Sequence, residues 1–392
     1  MNFFYPLTNI IQNYPWGSKT SIPHLFDIAN IDNKPMAEIW MGAHPKASSV
    51  ITWKGKATPL HEAINNNAEA LIGTNTSQRF GELPFLFKVL AAEKALSIQV
   101  HPTKMEAEIG YQKENDLGIA IDAYNRNYKD PNHKPELVYA LTPYLAMNGF
   151  REFDEIATLL KEVKVDAIEE LIQQYTQLPD SKSLQILFQE LMTLDEVTKL
   201  TAINQLLSWA HTSNHSLAEF ILDLNEVYPD DIGLLSPLLL NVVLLQPGEA
   251  MFLHSGTPHA YVKGTALEIM ANSDNVLRGG LTPKYIDVPE LISACTFMPL
   301  EKEKILTQPK LIGAEQQFPV PVEDFSFSIF SDADSAEITP NRGEIWFVID
   351  GSATFKHHTG EELTITKGES AFIPFISKTF VVTNIGNVAR AY

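Results

Sequence analysis

Apolar positions in this chain follow two different periods, and the change of period divides it. Ile156, Leu159, Leu160 and Val163 recur three and four apart, as do Ile168, Leu171, Ile172 and Tyr175, and then Leu184, Leu187, Phe188 and Leu191. That spacing lays one apolar stripe along a helix. None of the 20 glycines falls between Phe150 and Ile232, and Pro179 and Pro229 are the only prolines there. Helix interiors exclude both residues, so 150–233 reads as an α-helical insert. On either side the period is two. Leu96, Ile98 and Val100 alternate with Ser97, Gln99 and His101, and Glu136–Ala140 and Ala266–Ala271 read as further strands. Turn signals recur at Gly73, Pro131-Asn132, Gln246-Pro247-Gly248, Ser255-Gly256-Thr257-Pro258, Asp350-Gly351 and Lys367-Gly368. Short strands punctuated by glycine and proline predict a sandwich or barrel, so the chain reads as mainly β with a helical insert. Gln246–Leu253 weakly echoes Thr366–Ile373, as two related β units would.

Composition bounds the picture. A chain of 392 residues, 45% apolar and 20% charged, is an ordinary globular sequence of two to three domains. Its net charge is −19, and residues 151–230 carry fifteen acidic against five basic side chains, about half of that excess. Such a field repels polyanions, so nucleic acid is excluded as a partner, whereas a small anion needs only a local basic pocket. Cys295 is the only cysteine, which rules out an intrachain disulfide and a multi-cysteine zinc site and favours a reducing compartment. The N-terminus lacks the pattern of a signal peptide, and the most apolar stretch, Leu234–Leu245, is broken by Ser236, Pro237 and Asn241. A cytoplasmic protein with no membrane partner is expected.

Four stretches offer chemistry. In Ser97-Ile-Gln-Val-His101 the polar residues share one strand face, and Gln99 and His101 sit two apart, able to bite one cation. In Tyr128–Glu136, Pro131 and Pro135 stiffen the backbone that presents His133, Lys134 and Glu136. Glu136 opens an apolar strand, where a carboxylate needs a cation or donors. In Pro247–Tyr261 a glycine–proline turn aims His259, while His254 precedes the turn and reads as an ordinary histidine. Gln99, His101, Glu136 and His259 offer nitrogen and oxygen donors only, which suits Zn²⁺ and also Mn²⁺, Fe²⁺ or Co²⁺. Finally Arg278 precedes two glycines, and Arg278, Lys284, Lys134 and Lys88 are basic residues in apolar or turn-rich settings. Lys88 lies inside Pro84–Leu90, where a buried ammonium demands an anion that a phosphate would supply. On these residues alone three classes stay open: a sugar-phosphate isomerase, a metal-dependent cupin oxygenase and a non-catalytic sugar-phosphate-binding protein.

Several runs resemble type I phosphomannose isomerases. They are Gln12–Lys19, Ala37–Pro45, Gly81–Leu90, Leu96–Pro102, Tyr128–Glu136, Gly256–Tyr261, Asn272–Arg278 and Thr282–Asp287, in family order and spacing over most of the chain. The resemblance implies a cupin-type β-barrel or jelly-roll catalytic domain (1–149 and 234–300), the helical insert (150–233) and a second cupin-like domain (301–392). It implies one Zn²⁺ per chain on Gln99, His101, Glu136 and His259, with Arg278 as the catalytic arginine. It also implies interconversion of mannose 6-phosphate and fructose 6-phosphate through a cis-enediol. Ser97, Lys88, Lys134, Lys284 and Tyr261 are the expected substrate contacts, with Glu268, Asp274, His133 and Lys134 as candidate proton carriers. Gly343–Gly351 is cupin-like without a histidine pair and reads as structural. A monomer acting on a small-molecule sugar phosphate is the expectation.

Overall fold

The computed structural model describes residues 2–392. Its central element is a ten-stranded sheet whose main path runs Leu240–Leu245, Tyr144–Phe150, His259–Ala271, Phe85–Ala92, Glu38–Gly42, Ile10–Gln12. The thirteen-residue strand His259–Ala271 holds the sheet together. Its first half pairs with Tyr144–Phe150 and places His259 opposite Gln99. Its second half pairs with Phe85–Ala92 on one side and Glu136–Ala140 on the other.

The strand changes direction where the partners change. Tyr261 faces Ala146 and Lys263 faces Leu145, so Val262 is bulged out of register. Gly264 follows with φ +121°, and a Cβ there would lie 2.5 Å from the carbonyl oxygen of Pro143. A bulge inserts one residue and inverts the alternation beyond it. Tyr261 and Glu268, an odd number of positions apart, therefore project from the same face.

That face also carries Glu38 and Trp40, Lys88, and Glu136. The opposite face presents Ile39, Met41, Phe87, Val89, Leu137, Leu267 and Ile269, and packs against Phe327, Ile345, Phe347 and Phe372 of a second, seven-stranded sheet. A four-stranded sheet covers the far side of the second one around Trp346, Phe355 and Phe380. The sheets stay open and are not closed into the expected barrel. Face-to-face packing already buries each apolar face, so closure is not required.

The helical insert forms as its periodicity predicts. Helices Phe153–Val163, Glu169–Gln177 and Ser181–Met192 bury Ile156, Leu160, Val163, Ile172, Tyr175, Leu184, Leu187 and Phe188, and Glu196–Thr212 and Ser216–Val227 complete the layer. Its core is continuous with Met147 and Phe150 of the sheet and with Leu277, Leu281 and Leu291. Outside the insert, helix Lys104–Asp116 starts at a capping box made by Thr103 and Glu106. At the N-terminus Tyr5–Pro6 pairs with Ser370–Ile373, so this segment is an edge strand of the seven-stranded sheet. Among the described residues no helix is long and apolar enough to cross a membrane.

Candidate metal centre

Strand register brings the predicted ligands together. His259 lies opposite Gln99, and Gln99 lies opposite Arg278 on its other side. Residues directly opposite in antiparallel strands share a face, so the three side chains stand in a row. Glu136 opens the neighbouring strand opposite Met270. One ligand atom each from His101, Glu136 and His259 falls within a mutual 4.8 Å, and all three residues are buried.

Each imidazole is oriented by its second nitrogen. His101 Nδ1 donates to the Asn275 carbonyl at 2.8 Å, and His259 Nδ1 to the Thr257 carbonyl at 2.9 Å. The Nε2 atoms therefore carry lone pairs, and both are buried without a hydrogen-bond partner. They sit 3.3 and 3.6 Å from the Glu136 carboxylate. Burial, with Lys134 close to His101 and His101 close to His259, disfavours a proton on either ring; His259 is pushed down to about 4. Glu136 is held well below the usual carboxylate range, because Lys134 and the two histidines outweigh its burial. Two neutral imidazoles and one ionised carboxylate are the protonation states in which these groups bind a metal. Tyr261 donates to Glu136 Oε2 at 2.6 Å and Lys134 Nζ lies 2.9 Å from Oε1, so the carboxylate is fixed by its surroundings.

A second cluster lies on the same sheet face. Lys88 Nζ is 2.7 Å from Glu268 and 3.9 Å from Glu38, and 5.5 Å above the ring of Trp40, whose indole N–H donates to Glu38 at 2.5 Å. Burial works against the ammonium, but the two carboxylates outweigh it and hold Lys88 above the ordinary lysine range. The anion that Lys88 demands thus comes from within the protein. This corrects the expectation that a phosphate supplies it: a cation neutralised by two buried carboxylates has little charge left for a ligand. Tyr144 is fully buried with its ring 5.7 Å from that of Tyr261, and its hydroxyl has no protein partner.

The remaining predicted residues divide. Arg278 is half-buried and Lys284 exposed, and neither has a carboxylate within ion-pair distance among the described residues. Ser97 is half-buried on the backbone run that leads into Gln99. Asp274 is committed to Lys46 at 2.5 Å, with His44 at 3.7 Å. His133 Nε2 lies 3.0 Å from the carboxylate of Asp324 in the second β unit. It is a contact between the two units. Glu38, Trp40 and Tyr144 were not anticipated by residue chemistry. The signal for the first two was the alternation of Glu38 and Trp40 with Ala37, Ile39 and Met41.

Comparison with known proteins fits this geometry. The catalytic domain of type I phosphomannose isomerase matches residues 4–153, the helical insertion domain of the same family matches 159–240, and the cupin domain of mannose-6-phosphate isomerase matches 314–392. Mannose-6-phosphate isomerase of Salmonella typhimurium is 50% identical over 388 residues, 98% of each chain. This chain belongs to the type I phosphomannose isomerase family. The Homo sapiens member is 36% identical over 353 residues, 82% of this chain and 80% of that one. A crystal structure of a zinc-bound mannose 6-phosphate isomerase superposes with a TM-score of 0.95 at 49% identity, covering 100% of this chain and 99% of the other. A substituted phosphomannose isomerase from Salmonella typhimurium reaches 0.97 with the same coverage. Within this family fold, the histidine–glutamate–histidine cluster offers donors that could hold one metal ion.

Proposed function

We propose that this protein interconverts D-mannose 6-phosphate and D-fructose 6-phosphate through a cis-enediol, with one zinc ion held by Gln99, His101, Glu136 and His259. The carrying observation is the pair of buried imidazole nitrogens, His101 Nε2 and His259 Nε2, left without partners beside an ionised Glu136. When bound, zinc would supply the Lewis acidity that favours negative charge on the oxygens of C1 and C2. The protein's own groups do the rest. Arg278, in register beside Gln99, adds a fixed positive charge where the enediolate develops. Lys134 and Tyr261 keep Glu136 ionised and aimed. Lys88 and Glu268, 2.7 Å apart in a dry setting, are the pair equipped to move a proton between the two carbons. Lys284, with no carboxylate in ion-pair distance among the described residues, is free to grip the phosphate, which holds the reacting carbons in place. The single thiol, Cys295, is buried and suits a reducing cytoplasm, and His101, Glu136 and His259 of a single chain come within reach of one ion, which is compatible with a monomer.

The test is a coupled assay of mannose 6-phosphate isomerisation on one purified sample analysed for metal. Chelation is expected to abolish turnover and added Zn²⁺ to restore it. Full activity in the metal-free protein would remove the Lewis-acid role, and oxygen uptake in place of isomerisation would favour a cupin oxygenase.

A further inference from the structure

The two histidines of the centre are oriented in different ways. His259 Nδ1 donates to the carbonyl of Thr257, two residues back, so the turn that carries this ring also aims it. His101 Nδ1 donates to the carbonyl of Asn275, 174 positions further along the chain. The direction of His101 Nε2 therefore depends on where the segment through Asn275 is held.

The side chain of Asn275 does the holding. It is fully buried, and its Oδ1 accepts from the backbone N–H of Lys129 at 2.7 Å and of Asp130 at 3.3 Å. Its Nδ2 donates to the carbonyls of Asp130 at 2.7 Å and Asn132 at 2.8 Å. One amide thus engages its acceptor and both its donors on one stretch of backbone, as a neighbouring strand would. That stretch is the loop that delivers Glu136. The ligand follows Asn132 by four positions, and Pro135 stiffens the span between them.

Neighbouring residues reinforce the clasp. Asp130 accepts from the Ser273 hydroxyl at 2.8 Å and from the Asp274 N–H at 2.7 Å, and Asn132 Nδ2 donates to the Asn272 carbonyl at 3.1 Å. Among the described residues of this clasp, Asn275 is the one that also bonds a metal ligand. Three positions on, the same segment pairs Leu277 and Arg278 with Val100 and Gln99, which sets Arg278 beside Gln99. Burial and backbone bonding alone do not distinguish Asn275. Asn384 of the second β unit is also buried, accepts from the Ala333 N–H at 3.2 Å and donates to the Gly386 carbonyl at 2.7 Å. The difference is that the bonds of Asn384 lead to no ligand, whereas those of Asn275 lead to two.

We infer that Asn275 is a positioning residue of the metal centre: its carbonyl aims His101 while its side chain fixes the loop that delivers Glu136. Two of the three clustered donors are thereby located relative to one residue that is not itself a donor. The inference rests on the zinc reading above and deepens it, by assigning the separation of the donors to Asn275. Donors held at the right separation before the ion arrives bind it tightly, whereas donors that the ion must first order bind it weakly.

The test is the Zn²⁺ affinity of the full chain, measured by competition with a chromophoric chelator, in N275A and in N384A as the comparison. N275A is expected to raise the Zn²⁺ Kd about ten- to hundredfold, the range for losing a partner that orients a metal ligand. N384A removes a comparable buried amide, so it should lower thermal stability in a similar way and leave the Zn²⁺ Kd within about twofold of the parent. A Kd in N275A within threefold of the parent would overturn the inference. Equal weakening in N384A would also overturn it, since the loss would then follow from destabilisation in general. Should N275A fail to fold, N275S takes its place, because it keeps an acceptor for the Lys129 N–H. Failure of both to fold would count against the inference, for Asn275 would then be a requirement of the fold and not of the metal centre. A parent that binds no Zn²⁺ would remove the zinc reading itself, whereas tight binding in the parent with no change in N275A removes only this inference.

Discussion

At the scale of single residues, function here depends on which polar groups the fold leaves unpaired. Most buried polar groups in the sheet face are satisfied internally: Glu136 by Tyr261 and Lys134, and Glu38 by Trp40. The exceptions include the histidine Nε2 atoms on either side of Glu136, the Tyr144 hydroxyl and the half-buried guanidinium of Arg278. Leaving a buried group unpaired costs about 1–3 kcal/mol, so two such imidazole nitrogens beside one ionised carboxylate point to a ligand position. R278A is expected to lower kcat by ~10²-fold or more, the size of losing one charge-stabilising donor, in a steady-state assay at saturating mannose 6-phosphate. A kcat within threefold of the parent would take Arg278 out of the chemistry. Lysine charge sets a pH limit as well. Burial, Arg278 and Lys129 lower Lys284 from the ordinary value of 10.5. A neutral amine does not attract phosphate, so KM should climb with rising pH and begin to do so below 10.5. A flat KM through pH 10 would contradict this.

At the scale of elements, one strand decides the site. His259, Tyr261 and Glu268 all come from His259–Ala271 and share a face only because the bulge at Val262 inverts the alternation. The bend needs Gly264, whose φ of +121° and close approach to Pro143 leave no room for a side chain. G264A should destabilise the protein by about 3 kcal/mol, measured by denaturant unfolding, and reduce zinc retention with it. Unchanged stability would mean that the bend does not depend on glycine. The second β unit repeats part of this design. Glu344-Ile-Trp346 matches Glu38-Ile-Trp40, with Trp346 donating to Glu344 and Arg390 standing opposite Trp346 as Lys88 stands opposite Trp40. The echo between Gln246–Leu253 and Thr366–Ile373 is structural too. In each turn a glutamate carboxylate, Glu249 or Glu369, accepts at 2.8 Å from the N–H three residues earlier, before a four-residue strand. What the second unit lacks is the pair of histidines, so the same framework there holds only a buried ion pair between Arg390 and Glu344.

At the scale of the whole molecule, the two β units are bound by more than the sheet-to-sheet core. The N-terminal strand Tyr5–Pro6 belongs to the seven-stranded sheet, and Phe4 packs against Phe355 and Phe380 of the four-stranded one. F4A is expected to cost about 3–5 kcal/mol, the range for emptying a buried phenylalanine site. Thermal unfolding followed by the fluorescence of Trp346 should report it. No loss would show that the N-terminal strand is not part of the stabilising core. The bond from His133 to Asp324 joins the ligand-bearing loop to the same unit, so the second unit steadies the metal centre without contributing a ligand.

Much of this protein was determined by sequence alone, because the relevant physics is local. Helical periods in 156–191 came from side chains three and four apart, and the strand Glu136–Ala140 came from alternation and an apolar run. The clustering of His101, Glu136 and His259 was readable from chemistry and resemblance, since turns and prolines announce an aimed residue. Tertiary structure alone decided how charges pair. Lys88 meets Glu268 across a gap of 180 positions, His133 meets Asp324 across 191, and Asn275 ties down Lys129 across 146. Sequence patterns report the face on which a residue lies, but a Coulombic partner is fixed by strand register and by a one-residue bulge, and neither leaves a local trace.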